Sequence, residues 1–261
     1  MPRFAANLSM LFNEVPFLDR FAAAARAGFR GVEYLFPYAE DKAALVERLQ
    51  ANGLTQVLFN LPPGNWDAGE RGIACHPDRK GEFQDGIGKA IDYAKALGNR
   101  QVNCLSGIVP PGVAGDVLRR TMVDNLTFAA GKLKEAGVLL IVEPINFYDM
   151  PGFYLNRSDQ TLEIIAETGS DNIKLQYDIY HMQRMEGELA ATIERIFPSI
   201  AHIQIADNPG RHEPGTGEIN YPFLFAHLDR LGYAGWVSCE YRPAGETVAG
   251  LGWLGAVANR S

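Results

Sequence analysis

Glu143, Asp178, Gln204 and Glu240 each stand at or near the end of an apolar, β-like run, and the four runs follow one another along the chain. The first of these runs, Leu139-Leu140-Ile141-Val142, leads straight into Glu143 and Pro144. An unbroken aliphatic run suits a strand covered on both faces, as in a parallel sheet. Proline cannot donate to a sheet ladder, so the strand stops there and leaves Glu143 at its C-terminal lip. If the four strands are neighbours in a closed sheet, three carboxylates and an amide meet over one quarter of its rim. Carboxylates gathered in a half-dry pocket repel one another by several kcal/mol unless a cation sits among them. An all-oxygen ligand set suits Mg²⁺ or Mn²⁺ better than zinc, which recruits His and Cys. The alternative is that each carboxylate simply faces water, which is a weaker account of four in succession than of one.

Residues around these positions widen the chemistry. His181 follows Asp178 by three residues, and if the strand turns into a helical loop there, both side chains can face the pocket. A neutral imidazole there can donate to a carbonyl oxygen. Arg211, in the glycine- and proline-rich segment 206–218, could fork onto a substrate carboxylate, and Arg71 in an earlier loop is the second candidate for that task; either could instead be a plain surface arginine, the better account of Arg71. Glu33 ends the second β-like run, across from the cluster, where it can bond substrate or Asn7 of the first run. His202 shares the side of Gln204 by strand alternation and reads as a packed, hydrogen-bonded residue. Trp66, Phe12 and Tyr154 are loop aromatics that could close the pocket or set its length, with plain packing as the alternative.

The elements that must carry these residues alternate from end to end. Strands are expected over 3–8, 31–35, 55–60, 101–105, 139–144, 173–178, 200–205 and 235–240. Helices are expected over 16–27, 41–52, 82–97, 115–136, 158–168, 188–197 and 221–231, with a last helical segment closing the chain. Within 115–136, Leu118, Met122, Leu126, Ala129 and Leu133 recur at helical spacing, so one face packs on a sheet. Gly28, Gly53, Gly98, Gly137, Gly169 and Gly232 punctuate helix ends, where a left-handed cap is wanted. Eight strand–helix units in 261 residues point to an α/β fold, a single (β/α)₈ TIM barrel spanning residues 1–261 as one domain. An open doubly wound sheet would carry a glycine-rich phosphate turn after its first strand. Here Asn7-Leu8-Ser9-Met10 follows instead, and no nicotinamide or flavin site is expected. Connections from strand to helix are long (61–81, 106–114, 144–157 and 206–220) while the returns are short, as a walled active site on one rim requires.

Charge and composition narrow the partners. Acidic residues outnumber basic ones, 31 to 24, and a net charge of −7 argues against a broad nucleic-acid footprint. No run approaches a membrane span, and the first residues lack the apolar core of a signal peptide. The 3 cysteines, Cys75, Cys104 and Cys239, are widely spaced and fit reduced thiols, so a cytoplasmic protein is expected. A homo-oligomer is compatible with all of this.

Six segments carry a family resemblance: RFAANLSMLF, GERGIACHP, LIVEPIN, QYDIYHMQRMEGEL, HIQIADNPGRHEPGTGEINYPFLF and GWVSCEYRP. Together they span nearly the whole chain, which resembles the hydroxypyruvate isomerase family within the xylose-isomerase-like sugar isomerase and epimerase barrels. The resemblance implies an isomerase that interconverts hydroxypyruvate and 2-hydroxy-3-oxopropanoate (tartronate semialdehyde), without an organic cofactor. It implies that Glu143 and Glu240 are proton donor and acceptor, and that Glu143, Asp178, Gln204 and Glu240 hold a divalent metal. It carries substrate contacts onto His181 and Arg211. The chemistry agrees. Moving a carbonyl by one carbon takes a proton from one carbon and returns one to its neighbour, through an enediolate that a divalent ion stabilises.

The nearest rival is a 2-oxo-tetronate isomerase or a ketose epimerase of the same family. A DNA-repair endonuclease on the same barrel would want several metals, many His ligands and a basic face. A binding protein without activity is the third reading.

Overall fold

Strand β1 (Arg3–Asn7) is followed by helix α1 (Phe17–Arg26), β2 (Gly31–Glu33) by α2 (Lys42–Ala51), and β3 (Thr55–Asn60) by α3 (Lys80–Leu97) in a computed structural model of the protein. β4 (Gln101–Cys104) leads to α4 (Gly115–Glu135), and β5 (Leu139–Val142) to α5 (Ser158–Glu167). β6 (Ile173–Asp178) runs directly into α6 (Ile179–Met185), and α7 (Leu189–Ile196) precedes β7 (Ile200–Ile205). Helix α8 (Tyr221–Arg230), β8 (Trp236–Cys239) and α9 (Gly252–Ala258) complete the order. The structure describes residues 2–258; residues 1 and 259–261, which the single-domain expectation includes, lie outside the described residues.

The eight strands pair in parallel in sequence order, and β8 closes onto β1. The fold is a single (β/α)₈ barrel. Local chemistry explains its pieces. In α4, Leu118, Met122, Leu126, Ala129 and Leu133 are all buried, so the helical period aims one face at the sheet. Asp41 caps α2 by accepting from the backbone N–H groups of Ala43 and Ala44, a cap worth about 1 kcal/mol. The six punctuating glycines all have positive φ, which a residue with a Cβ adopts at a cost.

Several strands end earlier than the sequence pattern suggests. β5 stops at Val142, so Glu143 stands one residue beyond the ladder; β2 stops at Glu33 and β8 at Cys239. The chain after β6 differs more, because Asp178 caps a helix at once. Its Oδ1 accepts from the N–H groups of Tyr180 and His181, at 2.8 and 3.2 Å, and starts α6 with no intervening loop. The expected helix over 188–197 is thus the second of two, preceded by α6.

The barrel interior is polar toward the rim. Registers place Asp178 beside Gln204 and Gln176 beside His202 on adjacent strands, and Asn60 beside Asn103. Strand alternation sends these side chains inward, where each must find a partner. At the rim, the loops after β4 and β5 are tied together: the N–H of Val109 donates to the Gly152 carbonyl and that of Tyr154 to Gly107, both at 2.9 Å.

Candidate active site

The rim loops wall a cavity of about 720 Å³, with Glu143, Glu240, His181 and Arg211 among its lining residues. Glu143 is held by Asn103, whose side-chain N–H donates to Oε2 at 3.1 Å and also to Asn60. Burial pushes the Glu143 carboxyl well above its ordinary range, and repulsion from Glu240 and Asp178 adds to that. Burial likewise raises Glu240 to about 8, although Arg211 pulls it back. Asp178 rises to about 6 from burial, offset by Arg211 and by the two N–H groups its Oδ1 accepts from. Three buried carboxylates thus lie close enough to act on one another, and one guanidinium answers all three.

That guanidinium is Arg211. Its Nη2 lies 3.5 Å from Glu240 Oε1, 3.9 Å from Asp178 Oδ2 and 3.4 Å from His181 Nε2. Its backbone is left-handed, φ 56°, a conformation that costs a non-glycine residue of order 1 kcal/mol or more. The surrounding loop imposes it. Asp207 accepts from the N–H groups of Asn208, Gly215 and Ile219, and the Arg211 carbonyl accepts from the N–H of Arg242. The sequence pattern offers Arg211 to a substrate carboxylate; in the structure it lines the cavity and also faces the protein's own carboxylates.

Arg71 is placed differently. Its Nη1 donates to the Trp66 and Glu70 carbonyls, at 2.9 and 2.7 Å, and its guanidinium lies 4.0 Å over the Trp66 ring. Both residues line the cavity. One edge of the guanidinium is pinned, which leaves the remaining N–H groups for a ligand. Phe12 and Tyr154 are not among the cavity residues: Phe12 is buried against Phe29, and Tyr154 packs against the core.

Gln204 and Glu33 lie below the cavity, in the barrel interior. Gln204 Nε2 donates to Glu33 Oε1 at 2.7 Å, while its Oε1 accepts from Gln176 at 2.5 Å. Glu33 also accepts from Asn7 at 3.0 Å and meets His202 Nε2 at 2.9 Å. Burial alone would raise Glu33; His202 and the hydrogen bonds outweigh it and hold the carboxyl below its ordinary value. His202 is fully buried and satisfied by Glu33 and Gln101.

A divalent cation fits this donor set. Asp178 Oδ2 is buried without a hydrogen-bond partner, an acceptor left over in a place where that is costly. Ligand atoms of Glu143, Asp178 and His181 lie within 4.8 Å of one another. The Gln204 amide is oriented by Glu33 with its oxygen turned away from that carboxylate, and an amide oxygen has a second lone pair to give.

His181 is buried, with Nε2 3.7 Å from Asp178 Oδ2 and 3.9 Å from Glu143 Oε1. Burial, with Arg211 and Arg184 nearby, holds its pKa well below the ordinary value, so the ring is neutral. Asn103, Gln176 and Asn146 also touch the site residues, and the sequence reading did not single them out. Strand alternation could have found Gln176, two residues before Asp178, and Asn103, whose ladder partner Ile141 lies two residues before Glu143.

Fold and pocket together define an α/β barrel whose acid-rich centre sits at the C-terminal ends of its strands, where such barrels do chemistry. The chain belongs to the xylose isomerase-like TIM barrel family, whose model matches residues 21–257. It is 54% identical to hydroxypyruvate isomerase of Escherichia coli strain K12 over 254 residues, 97% of this chain and 98% of that protein. It is 53% identical to 2-oxo-tetronate isomerase of Cupriavidus necator, with the same coverage. A crystal structure described as AP endonuclease, family 2, from Brucella melitensis superimposes with a TM-score of 0.96 at 46% identity, covering 98% of this chain and 99% of that one.

Proposed function

We propose that this protein, residues 1–261 acting as one domain, interconverts hydroxypyruvate and 2-hydroxy-3-oxopropanoate by proton transfer between Glu143, Glu240 and the substrate. The observation that carries the reading is the pair of buried glutamates lining one cavity, which burial raises above the ordinary carboxylate range in the metal-free fold. A carboxyl raised toward neutrality can hold a proton to give and, once ionised, take one back, which is what an acid–base pair needs at physiological pH. In one direction an ionised glutamate removes a proton from C3 of hydroxypyruvate, the other, protonated, delivers one to C2, and the C3 hydroxyl passes its proton to the C2 oxygen as the carbonyl moves to C3. The roles exchange in the reverse direction.

Glu143, Asp178, Gln204 and Glu240 would hold a divalent ion, Mg²⁺ or Mn²⁺, which when bound supplies positive charge to the enediolate oxygens. His181 donates to the same oxygens from its neutral ring. Arg71 anchors the substrate carboxylate with the guanidinium edge that Trp66 and Glu70 leave open, and Arg211 balances the carboxylates beneath. Trp66, which lines the cavity, would help set its length.

A second reading has its own support. A cavity of about 720 Å³ lies in the range that houses ligands larger than a three-carbon acid, so a four-carbon 2-oxo-tetronate also fits. The endonuclease reading has less. Four of the histidines are engaged elsewhere: His76 with the Ile108 carbonyl, His202 with Glu33, His212 with the Arg242 carbonyl and His227 with the Ala190 carbonyl. The net charge of −7 is also unsuited to a DNA backbone. Among the described residues no helix is long and apolar enough to cross a membrane. The free, buried thiols Cys75, Cys104 and Cys239 support a cytoplasmic enzyme.

A turnover panel of hydroxypyruvate, 2-oxo-tetronates and free ketoses, with and without EDTA, tests the reading. Metal-dependent turnover of a short 2-oxo acid is expected; turnover confined to neutral ketoses would reject it.

A further inference from the structure

We propose that Asn146 keeps the proton of His181 off Nδ1 and therefore on Nε2, making His181 a hydrogen-bond donor to substrate and excluding it from the metal's ligands. The inference rests on the functional reading above only for what the donor is used for. The tautomer itself follows from three contacts.

Asn146 is fully buried, three residues after Glu143. Its Oδ1 accepts from the backbone N–H of Asp149 at 2.9 Å. A backbone amide nitrogen can only donate, so the atom facing it is the oxygen. The other amide atom is then the nitrogen, and it donates to Asp149 Oδ2 at 3.2 Å. Turning the amide over would set N–H against N–H at the first contact and oxygen against carboxylate at the second. Asp149 itself is pinned by Tyr180, whose hydroxyl donates to Oδ2 at 2.8 Å, and by Arg184.

The same Asn146 nitrogen lies 2.6 Å from His181 Nδ1. With an N–H pointing at it over that distance, Nδ1 must offer its lone pair and cannot carry a proton. A neutral imidazole has one N–H, so it sits on Nε2. Nε2 faces the cavity side, with Asp178 Oδ2 and Glu143 Oε1 at 3.7 and 3.9 Å. Arg211 Nη2, 3.4 Å from Nε2, would prefer the opposite tautomer, but that contact is at the limit of a hydrogen bond while the Asn146 contact is well inside it. A nitrogen bearing a proton has no lone pair in the ring plane for a cation. The close cluster of Glu143, Asp178 and His181 therefore resolves into two ligands and one donor, and Gln204 and Glu240 complete the oxygen set.

Asn146 is thus a positioning residue that acts through His181, as the aspartate of a catalytic triad fixes its histidine. The test is the ring ¹⁵N spectrum of His181 in the full-length protein, assigned by its loss in His181→Gln. Wild type is expected to show Nδ1 unprotonated and Nε2 protonated, unchanged when Mg²⁺ is added. In Asn146→Asp an acceptor faces the ring, and Nδ1 becomes protonated. In Asn146→Ala, with the fold checked by circular dichroism, kcat for hydroxypyruvate is expected to fall about tenfold or more, with KM changed less than about threefold. A protonated Nδ1 in wild type, an unprotonated Nδ1 in folded Asn146→Asp, or loss of the Nε2 proton on adding Mg²⁺ would each overturn the proposal. So would an unchanged kcat in folded Asn146→Ala. A wild type inactive on every substrate of the panel, yet with the proton on Nε2, rejects the functional reading and leaves the tautomer assignment standing.

Discussion

Glu240→Gln should stabilise the metal-free protein at alkaline pH, although it removes a residue placed at the centre of the chemistry. In the folded chain burial raises the Glu240 carboxyl from an ordinary 4.5 to about 8. Between those values the folded state holds a proton that the unfolded chain releases. The group therefore contributes its full share to stability below about pH 4.5 and loses it progressively as pH rises through about 8. At about 1.36 kcal/mol per unit, the whole interval corresponds to roughly 5 kcal/mol. Part of the shift comes from repulsion by Asp178, which ionises within the same range, and by Glu33, which is ionised throughout it, so the expected difference is on the order of 3–5 kcal/mol. Glutamine has nearly the same shape and nothing to ionise. In EDTA the variant and wild type should unfold together near about pH 4, and by about pH 9 the variant should melt roughly 5–15 °C higher. Thermal denaturation followed by circular dichroism at a series of pH values reads this directly. Parallel pH curves for the two proteins would refute the reasoning, because they would mean that Glu240 carries no raised pKa in the metal-free fold.

Three further outcomes are expected. Glu143→Gln should lower turnover by roughly 10²–10⁴-fold, the usual scale for a positioned acid–base group, with the melting temperature at acid pH held near that of wild type. Arg71→Ala should raise KM for 2-oxo acids more than kcat falls, because it removes ground-state anchoring; an unchanged KM would return the anchor to Arg211. Mg²⁺ added to the EDTA-stripped protein should raise the melting temperature in a concentration-dependent way, and more at about pH 8 than at about pH 5, where protons compete for the same carboxylates. Equal shifts at both pH values would put the ion somewhere other than the carboxylate cluster.

Much of the architecture was legible in the sequence, and for a physical reason. Strands covered on both faces read as short aliphatic runs, and Pro144 marks where one of them must end. That combination located Glu143, and the polar residues at or near the ends of the next three strands pointed to Asp178, Gln204 and Glu240. What lies beyond strand ends was less legible. Asp178 starts a helix with its own side chain, so α6 appears where a loop would be drawn. Arg211 was recognisable as a rim arginine, but the left-handed turn that points it at Glu240 depends on Asp207 gathering three backbone N–H groups. Asn146 sits inside the motif LIVEPIN, and only its contacts with Asp149 and His181 across the loop reveal a task. Glu33 ends its strand, yet the partners that absorb it, Gln204 and His202, come from a strand far along the chain.

The most direct measurement is proton NMR of hydroxypyruvate incubated with the Mg²⁺-supplied enzyme in D₂O. Proton transfer between two carboxylates and the substrate predicts loss of the C3 proton signal and a 2-hydroxy-3-oxopropanoate product that carries deuterium at C2. Both effects should be strongly suppressed in Glu143→Gln and in Glu240→Gln. Product that forms with no solvent deuterium would contradict the mechanism, since the hydrogen would then have moved directly between carbons. No exchange and no product, with metal present, would contradict the proposed activity itself.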